Sequence, residues 1–108
     1  MTTSPQQTTE FLVFLPVRPA ARDEFRAKLF EIGDHVAQEP EFVSCSIHED
    51  ADDPDTLVLR EVWACGRDEL FEQLKRPYRT RYEAELSSML EGERRFVFLT
   101  PPIATYPA

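Results

Sequence analysis

The sequence predicts an α+β fold, one antiparallel four-stranded sheet with its helices on one face. Three observations lead there. Thr56–Ala64, TLVLREVWA, is rich in β-branched and aromatic residues and lies between Asp53-Pro54 and Gly66, so it reads as a strand. Its two faces, Leu57/Leu59/Glu61/Trp63 and Val58/Arg60/Val62/Ala64, are both mostly apolar, as in the middle of a covered sheet. Phe11–Val17, FLVFLPV, has the same two-sided character. Finally, the order of elements is β-α-β-β-α-β with the second helical region broken in two. That is the split βαβ, ferredoxin-like pattern, whose first and third strands are the central ones.

Residues 1–9 lack apolar periodicity and read as a mobile tail, so the domain proper is taken as 10–100. In the first strand Phe11, Val13 and Leu15 share one face, Leu12 and Phe14 the other. Pro16 is tolerable there only near the strand's end or at an unpaired position. Pro19 opens a helix over about 20–38, with Asp23 and Glu24 at its positive end. Phe25, Leu29, Ile32 and Val36 form its apolar stripe. Pro40 ends it. Glu41–Glu49 is an edge strand, apolar through Val43, Cys45 and Ile47 and half-polar through Ser44, Ser46 and His48.

The hairpin loop Glu49–Asp55, EDADDPD, holds five carboxylates. It lacks the glycine and terminal glutamate of a calcium loop and reads as a solvated turn. After the organising strand come short helices over 68–75 and 77–90, the second with Tyr78, Tyr82 and Leu86 facing inward. Arg94–Leu99 is the last strand. The tail 101–108, within TPPIATYPA, is too rich in proline to extend the sheet. It is expected to lie across a second subunit, anchored by Ile103 and Tyr106.

All helices fall on one side in this topology, which leaves the other faces of the two central strands in water. A second sheet packed against them removes that exposure, so a homodimer is expected. The net charge of −8 argues against nucleic acid or anionic membrane as partner. No apolar run reaches membrane-span length, and MTTSPQQTTE has no signal pattern, so a cytoplasmic protein is expected. A turn near Asp52 pairs Cys45 with about residue 60 or 61, too far from Cys65 for a disulfide. There is no Cys/His metal spacing and no glycine-rich phosphate loop.

Glu39-Pro40-Glu41-Phe42-Val43, Asp52-Asp53-Pro54, Leu59-Arg60-Glu61-Val62-Trp63 and Leu74-Lys75-Arg76-Pro77-Tyr78 come in that order along the chain. As an ordered set they resemble the antibiotic biosynthesis monooxygenase family over about residues 10–100. The resemblance implies a dimeric α+β barrel of ferredoxin-like subunits. It also implies a cofactor-independent oxygenase acting with molecular oxygen on a quinol, an anthrone or another phenolic aromatic, with neither cofactor nor metal. Two positions depart from the family pattern. Tyr78 stands where a histidine often follows the proline, and Glu41 replaces the usual glycine. The haem-degrading branch uses an asparagine, a tryptophan and an axial histidine; this chain has Trp63, carries Tyr78 at the histidine position and contains no asparagine. That branch is the weaker match.

Oxygenation without a cofactor requires an aromatic that ionises and donates an electron to oxygen. The protein supplies an apolar cavity, a base and donors for the anion. Glu61 and His48 are the candidate bases, because burial raises a carboxylate towards neutrality and histidine starts there. Trp63, Tyr78 and Tyr82 are the candidate substrate-binding residues, with Arg60 as a further donor. His48 belongs only if the hairpin register turns it to the face of Glu61; the opposite parity brings Cys45 and Ile47 there instead. Each has an ordinary structural alternative. Trp63 is the largest apolar body available to a core, Glu61 can pair with Arg79 or Arg81, and Tyr78 and Tyr82 can be packing residues. A non-catalytic dimeric module binding a small aromatic ligand or a partner is the competing function.

Overall fold

The computed structural model describes residues 7–108. Strand β1 is Thr9–Pro16, followed by a 3₁₀ turn and helix α1, Arg22–Val36. Strands β2, Phe42–Asp50, and β3, Asp53–Trp63, form a hairpin. Helices α2, Arg67–Gln73, and α3, Pro77–Met89, precede β4, Arg95–Leu99. The sheet order is β2-β3-β1-β4 with every neighbouring pair antiparallel. This is the expected ferredoxin-like topology, with the two strands that are apolar on both faces at its centre. Among the described residues no helix is long and apolar enough to cross a membrane.

The prolines and the acidic first turn act where the sequence places them. Pro19 starts the 3₁₀ turn, Asp23 and Glu24 sit in the first turn of α1, and Pro77 starts α3. Phe25, Leu29, Ile32 and Val36 are the buried face of α1. They pack on Phe11, Val13 and Leu15 of β1 and on Leu57 and Leu59 of β3. Pro16 pairs with Thr56 at the last position of β1, where its missing N–H costs no ladder bond further along.

Two expectations at the ends of elements are corrected. The strand begins earlier than expected, at Thr9, which is buried and whose Oγ1 donates to the carbonyl of Cys65 at 2.7 Å. Of the rest of the expected N-terminal tail, residues 7 and 8 are exposed and in no regular element, and 1–6 lie outside the described residues. The acidic hairpin is also tighter than a seven-residue loop, since Asp50 already pairs with Asp53. Two of its carboxylates are engaged locally: Asp50 Oδ1 accepts the N–H of Asp52 at 2.9 Å, and Asp53 Oδ2 accepts the hydroxyl of Thr56 at 2.8 Å. Glu49 is tied to Arg26 at 2.6 Å.

The sheet face away from the helices is uncovered in the single chain. Leu12 and Phe14 of β1 and Val58 and Val62 of β3 stand there only half-buried. The segment 101–108 forms no helix or strand, and Ile103 is 100% exposed.

Candidate active site

The register of β2 on β3 decides which side chains meet. Cys45 pairs with Glu61 and Ile47 with Leu59, so these share the face covered by helices. Ser46 and His48 pair with Arg60 and Val58 and stand on the open face. His48 is thereby removed from the candidate site: it is exposed, and its Nε2 lies 2.9 Å from Ser46 Oγ. Arg60 is on the open face too, where it donates to Glu10 Oε1 at 2.9 and 2.6 Å.

Glu61 and Trp63 point under the helices, as the alternation of β3 requires. Trp63 is 2% exposed and meets Phe42 edge-on with ring centroids 5.5 Å apart. Its Nε1–H donates to Glu61 Oε1 at 3.1 Å. Burial pushes the Glu61 carboxyl above its ordinary value, opposed by the Trp63 N–H and the positive charges of Arg79 and Arg94. Burial prevails. The carboxyl therefore keeps its proton to higher pH than an exposed glutamate.

A narrow crevice runs beside this pair in two adjoining compartments. One, of about 40 Å³, is walled by Phe11, Trp63, Leu70, Phe96 and Phe98. The other, of about 70 Å³, lies under α1 against Phe42, Cys45 and Ile47. Leu59, Glu61, Arg79 and Tyr82 line both compartments and form the partition between them. Larger clefts of about 590, 200 and 670 Å³ lie at the surface and none touches Glu61 or Trp63, though the 200 Å³ one, between α1 and α3, is lined by both Tyr78 and Tyr82.

Tyr82 is part of the crevice. Desolvation lifts its phenol to about 12 against the opposing charge of Arg79, so it remains an O–H donor at neutral pH. Tyr78, one turn earlier, is not. Its hydroxyl donates to Glu39 Oε1 at 2.8 Å, and its ring stacks on His35 with centroids 5.1 Å apart. Desolvation and that bond raise it to about 12 as well. Tyr78 fastens the start of α3 to the end of α1, outside both compartments. This separates the two tyrosines experimentally. Tyr78→Phe should cost about 1 kcal/mol of stability, the worth of one hydrogen bond, in a urea titration. It should leave binding of a phenolic ligand unchanged.

Two arginines also stand at the crevice, Arg79 and Arg94. Arg79 Nη2 and Arg94 Nη1 both donate to Glu83 Oε1, at 3.1 and 3.0 Å, and Arg94 Nη2 approaches Glu83 Oε2 at 2.6 Å. Neither is within ion-pair distance of Glu61. Arg81 reaches outward to Glu85. Arg79, Tyr82, Glu83 and Leu86 are spaced i, i+3, i+4 and i+7 on one face of α3, a pattern visible in the sequence. Cys45, across from Glu61, keeps its thiol proton, because desolvation and the neighbouring carboxylate push it up to about 12. Cys65 is free as well, so no disulfide joins the two.

With fold and crevice described, the likeness to known proteins becomes specific. The family model described as antibiotic biosynthesis monooxygenase matches residues 8–65. No curated protein matches the chain in sequence. Among solved structures, Rv0793 from Mycobacterium tuberculosis is 25% identical with a TM-score of 0.80, covering 93% of this chain and 100% of its own. A Nitrosomonas europaea protein assigned to antibiotic biosynthesis monooxygenases is 16% identical, TM-score 0.81, covering 97% and 100%. SnoaB, a cofactor-independent oxygenase from Streptomyces nogalater, is 20% identical, TM-score 0.76, covering 94% and 98%. These structures share the fold, and the family match spans more than half of the sequence: the chain belongs to the antibiotic biosynthesis monooxygenase family.

Proposed function

We propose that the protein is a cofactor-independent monooxygenase acting on a small phenolic aromatic, a quinol, anthrone or related phenol, with molecular oxygen. One observation carries this reading: a half-buried carboxyl, Glu61, raised by desolvation, faces an aromatic-walled crevice together with a protonated tyrosine, Tyr82. In the chemistry this arrangement supports, Glu61 takes a phenolic proton and the resulting anion gives an electron to oxygen. A carbon–oxygen bond then forms, and the O–O bond breaks with loss of water. For a simple hydroquinone the balance is hydroquinone plus oxygen to hydroxyquinone plus water, so the substrate is its own reductant. Trp63 holds the carboxyl in place, and the Phe96–Phe98 wall excludes water from the charged species.

The size of the crevice bears on the substrate. Its compartments, about 40 and 70 Å³, are smaller than the roughly 150 Å³ apolar cavity that takes up one benzene ring. A single ring therefore needs the partition to give way, and a tricyclic substrate needs α3 to move. The same narrowness favours the second reading, a module with a filled core and no chemistry. Oxygen uptake with hydroquinones of one, two and three rings decides between them. Uptake that is saturable in substrate and absent in Glu61→Gln supports the enzyme; uptake no faster than buffer supports the module. Tyr82→Phe should weaken phenol binding by about 1–3 kcal/mol, the loss of a buried hydrogen bond, as read by titration calorimetry.

The same reading includes a homodimer built on the uncovered sheet face, with 101–108 lying across the partner. Leu12, Phe14, Val58 and Val62 are the apolar patch that needs covering. Val58→Asp would bury an unpaired charge and should weaken the dimer by at least about 3 kcal/mol. In sedimentation velocity at micromolar concentration, dimeric wild type and monomeric variant are expected; a monomeric wild type would contradict it. Two free thiols fit a reducing compartment such as the cytoplasm.

A further inference from the structure

Arg79 is placed unlike Arg81, the other arginine of α3. Its side chain is only 13% exposed, and it lines both compartments of the crevice beside Glu61 and Tyr82. One end of its guanidinium bonds Glu83, while its Nε is buried without a hydrogen-bond partner. An unmet buried donor is costly, and a guanidinium donor is met best by an anionic oxygen.

Counting charge around the crevice leads to the same slot. Arg79 and Arg94 converge on a single carboxylate, Glu83. One positive charge is left over. The other groups facing it are Glu61 on β3, the protonated Tyr82, the Trp63 N–H, the neutral thiol of Cys45 on β2 and Gln73 on α2. The Glu61 carboxylate, on which the charges of both arginines act, offsets that surplus. An anionic ligand would do so equally well, provided Glu61 were then protonated.

Building on the oxygenase reading, we propose that Arg79 selects the ionised oxygen of the substrate: its unpartnered Nε–H and the surplus charge of the Arg79–Glu83–Arg94 cluster hold a phenolate in the crevice. A neutral phenol enters, its O–H bond breaks, and the proton moves to the Glu61 carboxylate. The phenolate that remains takes over the role of counter-ion to the arginines. The crevice has the same net charge before and after the transfer, so ionisation creates no new uncompensated charge in a low-dielectric site. Arg79 is then a binding and specificity residue, distinct from the base.

The test uses 4-nitrophenol, a single-ring phenol whose ionised form alone absorbs in the visible, and 4-nitroanisole, the same shape with no acidic proton. Each is titrated into the full-length protein at a pH about one unit below the ordinary pKa of the free phenol. Wild type should bind 4-nitrophenol as phenolate. Arg79→Gln should bind it at least about tenfold more weakly, with the pKa of the bound phenol raised by about one unit or more. Glu83→Gln enlarges the positive surplus and should shift that pKa the opposite way, which loosened packing in either variant would not do. Binding of 4-nitroanisole, which reads the change in crevice shape alone, should differ among the three proteins by much less than that tenfold. A bound phenol that is neutral in wild type, or equally ionised in Arg79→Gln, overturns the role of Arg79 and leaves the crevice as a ligand site. Binding of neither compound overturns the crevice reading and this inference with it.

Discussion

Glu61→Gln is expected to lower the rate of substrate oxygenation by about 10²- to 10⁴-fold, the usual worth of a general base. The amide keeps the shape and can still accept the Trp63 N–H at 3.1 Å, so the fold is spared while the base is lost. The pH profile gives an independent check. Burial raises the Glu61 carboxyl, and the base works only when ionised. The rate should therefore climb with pH through a value above the ordinary carboxylate range, and that limb should vanish in the variant. Stability moves the other way. Below the ordinary carboxylate value both folded and unfolded chains are protonated at this position. As pH rises, the unfolded chain releases its proton first, so the folded state loses stability until its own higher value is passed. Glu61→Gln should be the more stable protein near neutrality, and the difference should disappear in acid. Urea titrations at several pH values measure this.

Trp63→Ala should cost about 3–5 kcal/mol of stability, the range for removing a large buried aromatic. The indole is almost fully buried, packs edge-on against Phe42 and forms the end wall of the crevice. A domain of this size has a total stability of only about 5–15 kcal/mol, so the variant should lie near the folding threshold. Trp63→Phe separates packing from chemistry. It keeps a ring in the core but removes the donor that lowers Glu61, so the acid limb of the rate profile should shift to still higher pH. An unchanged limb would mean the Trp63–Glu61 bond has no part in setting the base.

Much of the fold was legible because the two periods differ so clearly. The stripe Phe25, Leu29, Ile32, Val36 can only be one face of a helix, and the two-sided strands around Phe14 and Val58 can only be central. The hairpin parity was not legible, for a local reason. Pairing slips between Phe42 and Ser44 and again between Glu49 and Asp50, and no local pattern in EDADDPD fixes where such irregularities fall. That slip decided against His48. Helical spacing does not separate Tyr78 from Tyr82, because it gives direction but not depth. Tyr78 and Tyr82 share a face, yet Tyr78 lies one turn further out and meets Glu39 and His35 instead of the sheet. By sequence Arg79 is an ion-pair partner for Glu61, and nothing in a sequence reveals that Glu83 takes one end of its guanidinium and leaves Nε free.

The most direct test of the account is isotopic. Purified protein, treated with chelator and freed of small molecules, is incubated with a hydroquinone under ¹⁸O₂, alongside Glu61→Gln and a protein-free control. The account predicts a hydroxyquinone carrying one ¹⁸O atom, formed by wild type at least about 10²-fold faster than by the variant. Product labelled from water instead of oxygen gas, or formed equally fast by the variant, would contradict it.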